Sequence, residues 1–155
     1  MSKEEELIVN SRDLFEKMSW LNKFKMEESL KGYKPSEVHC IEAIKKQKEP
    51  NVTKLAESLY MTRGAISKLT KKLIQKKLIE SYQKPENKKE RYFKLTELGE
   101  KIYTIHEEEH KAFRDRDKVV FEQMTEEQLT SMLRFIEVYS KHLDEEIKKQ
   151  GLTIS

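Results

Sequence analysis

One stretch constrains this chain more than any other. Between Asn51 and Gly99, two short helical patterns separated by a tight turn run straight into two alternating segments around a polar, basic loop. Asn51 is placed to cap a helix carrying Val52, Leu55, Ala56 and Leu59 at i, i+3, i+4 and i+7. Thr62 can cap the next helix, whose inner face is Ile66, Leu69 and Leu73. Its other face presents Arg63, Ser67, Lys68, Lys71 and Lys72. The segments from Ile79 to Gln83 and from Glu90 to Leu95 then read as strands, and KPENKK between them is a turn by composition. From Asn51 to Leu95 there are 12 Lys+Arg against 4 Asp+Glu, whereas the whole chain nets only +3. The rest of the chain is therefore acidic, and the basic surface is local.

The flanks are helical. Leu7, Leu14, Met18 and Leu21, with Ile8, Phe15 and Phe24 beside them, form one amphipathic pattern that Gly32 ends. Pro35 suits the first position of a second helix with Val38, Ile41 and Ile44 as its inner stripe. Thr96 can cap a long helix to about Gln123, with Leu98, Ile102, Ile105 and Phe113 among its apolar positions. Thr125 and Gln128 make a capping box for a last helix with Leu129, Met132, Ile136, Tyr139, Leu143 and Ile147 on one side. With 36% hydrophobic and 38% charged residues, the chain is polar for a single core. Long helices that leave one face in water, or bury it on a second subunit, reconcile those values.

Several classes are excluded. No apolar run approaches the ~18 residues of a membrane span, and the acidic start MSKEEELIVN is unlike a signal peptide. A lone cysteine, Cys40, excludes an intramolecular disulfide and fits a reducing compartment, so a soluble cytoplasmic protein with no membrane partner is expected. There is no Gly-rich phosphate loop and no nucleophile elbow, so an enzyme is not expected.

The central stretch has the parts of a winged helix-turn-helix: a helix that braces a second one in the major groove, and a hairpin that reaches the neighbouring groove. The outward candidates are Thr62, Arg63, Ser67, Lys68, Thr70, Lys71 and Lys72. Arg63 is the candidate for a base contact because its planar fork can grip guanine O6 and N7 together, while the lysines suit phosphates. Gly64 is weak for a first turn; it either permits close approach to the DNA backbone or is tolerated without a role. At the hairpin tip, Asn87, Lys88, Lys89 and Arg91 can reach a minor groove or flanking phosphates. The competing reading is a solvated lysine surface, and the capped helix and short turn before it weigh against that. Affinity for double-stranded DNA should fall steeply with salt, with a log–log slope of about −0.9 per phosphate neutralised.

At these residues the chain resembles the MarR family of bacterial winged-helix repressors. The matching signatures are LAESLYMTRGAISKLTKKLIQKKLIE for the two DNA helices and PENKKERYFKLTELG for the wing and its exit, with a helical end on either side. The resemblance implies a mainly α fold with a small β-hairpin wing. It divides the chain into an N-terminal dimerisation helix (1–34), a winged helix-turn-helix (35–95), and a long helix with a C-terminal dimerisation helix (96–155). It further implies a homodimer on a roughly palindromic operator, controlled by a small effector, organic or metallic. In the family the wing commonly carries an Asp-x-Arg pair, where this chain has Asn87 and Lys89. The ion pair that orders the tip is therefore absent, which predicts a weaker or less selective minor-groove contact.

His106 and His110 lie four apart on the long helix and project from one face, a favourable spacing for a metal ion. By the resemblance, His39 on the second helix packs near them, and the zinc-responsive branch of the family uses histidines at corresponding positions. Zinc is the first choice for imidazole plus carboxylate without a second cysteine, with manganese, iron or nickel also compatible. Glu27, Glu28, Glu107, Glu109 and Cys40 are candidates for a fourth ligand. The plainer alternative leaves the histidines as surface or subunit-contact residues. No cofactor is required by the motifs themselves. Cys40 reads as a small buried hydrophobe rather than a redox sensor. A winged-helix module that binds protein instead of specific DNA sequences remains the alternative of a different class.

Overall fold

Every helix start is written in local chemistry. In the computed structural model, which describes residues 1–151, the elements are α1 (Lys3–Ser29), α2 (Pro35–Lys46), α3 (Val52–Leu59), α4 (Arg63–Gln75), β1 (Ile79–Lys84), β2 (Asn87–Leu95), α5 (Glu97–Glu122) and α6 (Glu126–Lys149). Residues 152–155, the end of the expected C-terminal segment, lie outside the described residues. Asn51 Oδ1 accepts the Lys54 N–H at 2.9 Å, and Thr62 Oγ1 accepts that of Ala65 at 3.1 Å. Thr96 Oγ1 does the same for Gly99, and Thr125 with Gln128 forms the expected capping box. Pro35 opens α2. Each such cap contributes about 1 kcal/mol. The turn from α3 to α4 is made by Tyr60 in the left-handed region (φ 53°), with the Met61 N–H bonded to the Ala56 carbonyl.

The hairpin corrects the sequence reading. The expected six-residue turn is only Pro85 and Glu86, and β2 already begins at Asn87, paired with Lys84 across the ladder. Asn and Lys have poor strand propensity, so composition hid a backbone pairing that the partner strand imposes. The pairing runs antiparallel from Ile79↔Leu95 through Tyr82↔Tyr92 and slips between Tyr82 and Lys84. The sheet is tied down on the loop between α2 and α3. There the Phe93 N–H donates to the Pro50 carbonyl at 3.0 Å, and Lys84 forms an ion pair with Glu49.

The core lies within the winged-helix region. Ile41, Leu55, Ile66, Leu73, Leu78 and Ile79 are fully buried, and Phe93 and Ile102 close it from the hairpin and α5. Gly99 lets α5 seat on the end of that core, because a Cβ there would stand 2.1 Å from the Leu78 carbonyl oxygen. By contrast α1 and α6 bury no residue within the single chain. Their large apolar side chains stay open to solvent, with Trp20 at 71%, Phe24 at 68% and Leu133 at 67% exposure.

Candidate nucleic-acid interface

The buried stripe Ile66–Leu69–Leu73 fixes which way α4 faces. Gly64, Lys68 and Lys71 stand opposite it, fully exposed, with Thr62 and Arg63 exposed at the capped end and Ser67 and Lys72 half-buried at the margins. Thr70 is the exception to the expected set. It is 3% exposed, and its hydroxyl donates to the Ile66 and Ser67 carbonyls at 2.9 and 3.1 Å. It sits four residues after Ile66 and three before Leu73, so helical geometry carries it to the core side. Beside Gly64 there is no heavy atom within 4 Å of where a Cβ would be, so the first turn of α4 is open to a partner's close approach.

Residues expected at the wing tip lie on β2 just past the turn. Lys88, Lys89 and Arg91 are exposed, and the Arg91 guanidinium donates to Ser81 Oγ at 3.2 Å. Asn87 Oδ1 accepts the Lys89 N–H at 3.3 Å, a local side-chain bond at the start of β2. On the solvent face of the hairpin, Tyr82 and Tyr92 stack at 5.6 Å, with Lys94 over Tyr82 and Lys84 over Tyr92. Lys84 is already matched by Glu49, whereas Lys88, Lys89, Arg91 and Lys94 form no ion pair among the described residues.

A second cluster joins α2 to α5. His106 and His110 place their Nε2 atoms 3.0 Å apart, and Glu42 Oε2 stands 3.3 Å from His106 Nδ1. Ligand atoms of Glu42, His106 and His110 all lie within 4.8 Å of one another. His39 lies beside this group, outside the set whose ligand atoms fall within 4.8 Å. It is exposed, with its ring edge-on and 6.5 Å from that of His106, and Glu42, one turn further along α2, stands nearer the pair. The signal for Glu42 in the sequence is its i+3 spacing from His39, which puts a carboxylate on the same face of α2. Of the proposed fourth ligands, Glu107 comes within 3.9 Å of His106 Nδ1, whereas Glu109 is bonded to Ser29 Oγ. Cys40 is buried, and burial pushes its thiol up to about 12. Burial lowers the pKa of His106, with His110 adding to the shift and Glu42 and Glu107 opposing it. His106 Nδ1 is buried without a hydrogen-bond partner. Lys46 Nζ stands 3.5 Å from Glu42 and 3.9 Å from Glu107.

These elements make a winged helix-turn-helix carried between long flanking helices. Residues 34–90 match the model of the MarR family. A MarR-family domain thus spans residues 34–90 of the chain. Among its relatives is the HTH-type transcriptional regulator PchR of Bacillus subtilis (strain 168), 31% identical over 109 residues, or 70% of this chain and 64% of PchR. The match thus spans less than two thirds of that relative's length. Among solved structures, Streptococcus pneumoniae FabT in complex with DNA superposes with a TM-score of 0.80 at 19% identity, covering 92% of this chain and 99% of FabT. Staphylococcus aureus MarR in complex with salicylate and kanamycin follows the same fold with a TM-score of 0.72 at 16% identity, over 92% and 93% of the two chains.

Proposed function

We propose that this chain is a cytoplasmic DNA-binding transcriptional repressor, not an enzyme, that reads each half of a pseudo-palindromic operator with α4 and the wing. One observation carries the reading: the apolar face of α4 is locked in the core while Arg63, Gly64, Lys68 and Lys71 stand free on the opposite side. Support comes from the relatives, named as transcriptional regulators, and from the likeness to FabT bound to DNA. Arg63 reads base edges, Lys68 and Lys71 hold phosphates, and Lys88, Lys89 and Arg91 meet the neighbouring groove. The apolar side chains left open on α1 and α6 suit burial against a second copy. Fluorescence anisotropy on DNA from upstream of its own gene tests this, with affinity falling steeply between low and high salt. Dimerisation with a flat salt response would leave only a protein-interaction module.

A metal-responsive form of the same reading rests on the α2–α5 cluster. Imidazole and carboxylate ligands gathered around the buried ring of His106, with Glu42 on its Nδ1 side and His110 on its Nε2 side, fit a divalent transition ion, zinc first. Glu42, His106 and His110 would hold the ion, with Glu107 nearest as a further ligand. An ion bound there would add positive charge between α2, which belongs to the DNA head, and α5, which leads to the flanking helices. A coupling of about 1–3 kcal/mol between that charge and the spacing of the heads changes DNA affinity by about 5- to 150-fold. Parallel titrations with a chelator and with zinc decide this form. An affinity indifferent to both returns the effector to an organic ligand, as in the salicylate complex of S. aureus MarR.

A further inference from the structure

The turn of the helix-turn-helix carries a side chain that the fold itself does not use. Tyr60 ends α3 in the left-handed region (φ 53°, ψ 45°), where an L side chain is unfavourable and helix ends prefer glycine. The bonds that close the helix there are all backbone ones. The Tyr60 and Met61 N–H groups both donate to the Ala56 carbonyl, and glycine in place of Tyr60 would make the same pair. Glu49 and Lys77 share this backbone region, but they are charged residues at home in water, whereas Tyr60 holds an aromatic ring there.

That ring is 67% exposed. Of the six tyrosines in the chain, Tyr33 and Tyr103 lie under lysine ammonium groups, Tyr82 and Tyr92 stack on each other, and Tyr139 packs edge-on to Phe135. Tyr60 alone has no such ring contact among the described residues, and its hydroxyl makes no hydrogen bond among them. Neither the strained backbone nor the exposed ring stabilises the free chain, so together they point to a partner outside it.

The place of Tyr60 says which partner. In a helix-turn-helix the first helix crosses the DNA backbone, while the N-terminal residues of the second reach base edges. Tyr60 closes the first of these helices and stands two residues before Thr62, the cap of α4, with Thr62, Arg63 and Gly64 all exposed after it. The turn therefore lies where backbone and groove edge meet. We propose, on the DNA-binding reading above, that the Tyr60 hydroxyl donates to a phosphate oxygen of the DNA backbone at the edge of the groove that α4 enters, and that the left-handed turn holds the ring in that position. A phenol is a neutral donor, so this contact releases no counterion of its own. It adds affinity by the same factor at every salt concentration and on every sequence, unlike Arg63 at a base edge or the lysines at phosphates.

The test is anisotropy across a salt series, on duplex from upstream of its own gene and on unrelated duplex, for the wild-type chain, Tyr60→Phe and Tyr60→Gly, with urea denaturation of each. Tyr60→Phe removes only the hydroxyl. It should weaken binding about tenfold on both duplexes, with the log–log slope and the urea midpoint unchanged. Tyr60→Gly relieves the turn, so it should raise the urea midpoint and still weaken binding at least as much. A tyrosine that only supported the fold would move stability and binding down together in Tyr60→Gly, and that result overturns the proposal. So does Tyr60→Phe binding both duplexes like the wild type, or a loss confined to the upstream duplex, which would put the hydroxyl on a base edge. A flat salt slope in the wild type would instead defeat the DNA-binding reading.

Discussion

Arg63 and Gly64 sit side by side on the first turn of α4, and they make opposite predictions. Truncating Arg63 to Ala should cost about 1–3 kcal/mol of discrimination at one base pair while changing affinity for unrelated DNA little. Binding measured across a set of single-base operator variants checks this, and equal losses on every sequence would contradict it. Gly64→Ala should stabilise the protein by up to about 1 kcal/mol, since Gly is the weaker helix former and the Cβ meets nothing within 4 Å. If a DNA phosphate approaches this turn, the same change lowers affinity, so stability and binding move in opposite directions. His106 gives a pH prediction. Its folded pKa is lowered, chiefly by burial, so the unfolded chain takes up a proton there before the folded one does. The stability it contributes is present above the unfolded value of about 6.5 and is lost as pH falls through the lower folded value. Melting temperature should drop from neutral pH toward pH 5 more steeply in the wild type than in His106→Gln; equal slopes would contradict this. Lys46 faces Glu42 and Glu107, so Lys46→Met should tighten zinc binding, read by competition with a chromogenic chelator.

At the scale of elements, the legible parts were those set by nearest neighbours along the chain. Asn51, Thr62, Thr96 and Thr125 could be read as caps because a cap joins a side chain to a backbone N–H only three residues away. The start of β2 was not legible, because Asn87 to Lys89 take strand form only through a partner strand. Which residue of α2 stands nearest the His106–His110 pair is set in the same way. His39 and Glu42 both lie on α2, and only the packing of α2 on α5 decides which of them meets His106. Thr70 was placed outward for its chemistry, although its spacing from Ile66 and Leu73 already put it inside. Gly99 belongs to this scale too. Its missing Cβ admits the Leu78 carbonyl, so Gly99→Ala must push α5 off the hairpin and should cost about 1–3 kcal/mol in chemical denaturation. A neutral result would mean that the α5 junction can slide.

For the whole molecule, the winged-helix region holds the core, while α1 and α6 bury nothing within one chain. That division was foreshadowed by a composition too polar for a single core, but which apolar residues stay open could be seen only in the fold. If a second copy covers them, Leu133→Glu should shift sedimentation from dimer to monomer and cost operator affinity, because one head alone then has to hold the DNA. In the proposed dimer, two copies of α4 dock together in successive major grooves. A hydroxyl-radical footprint on DNA from upstream of the gene addresses this directly. Two protected patches on one face of the duplex, about 10 base pairs apart, with flanking protection from the wings, are the expected result. A single patch, or uniform protection without that phase, would contradict it.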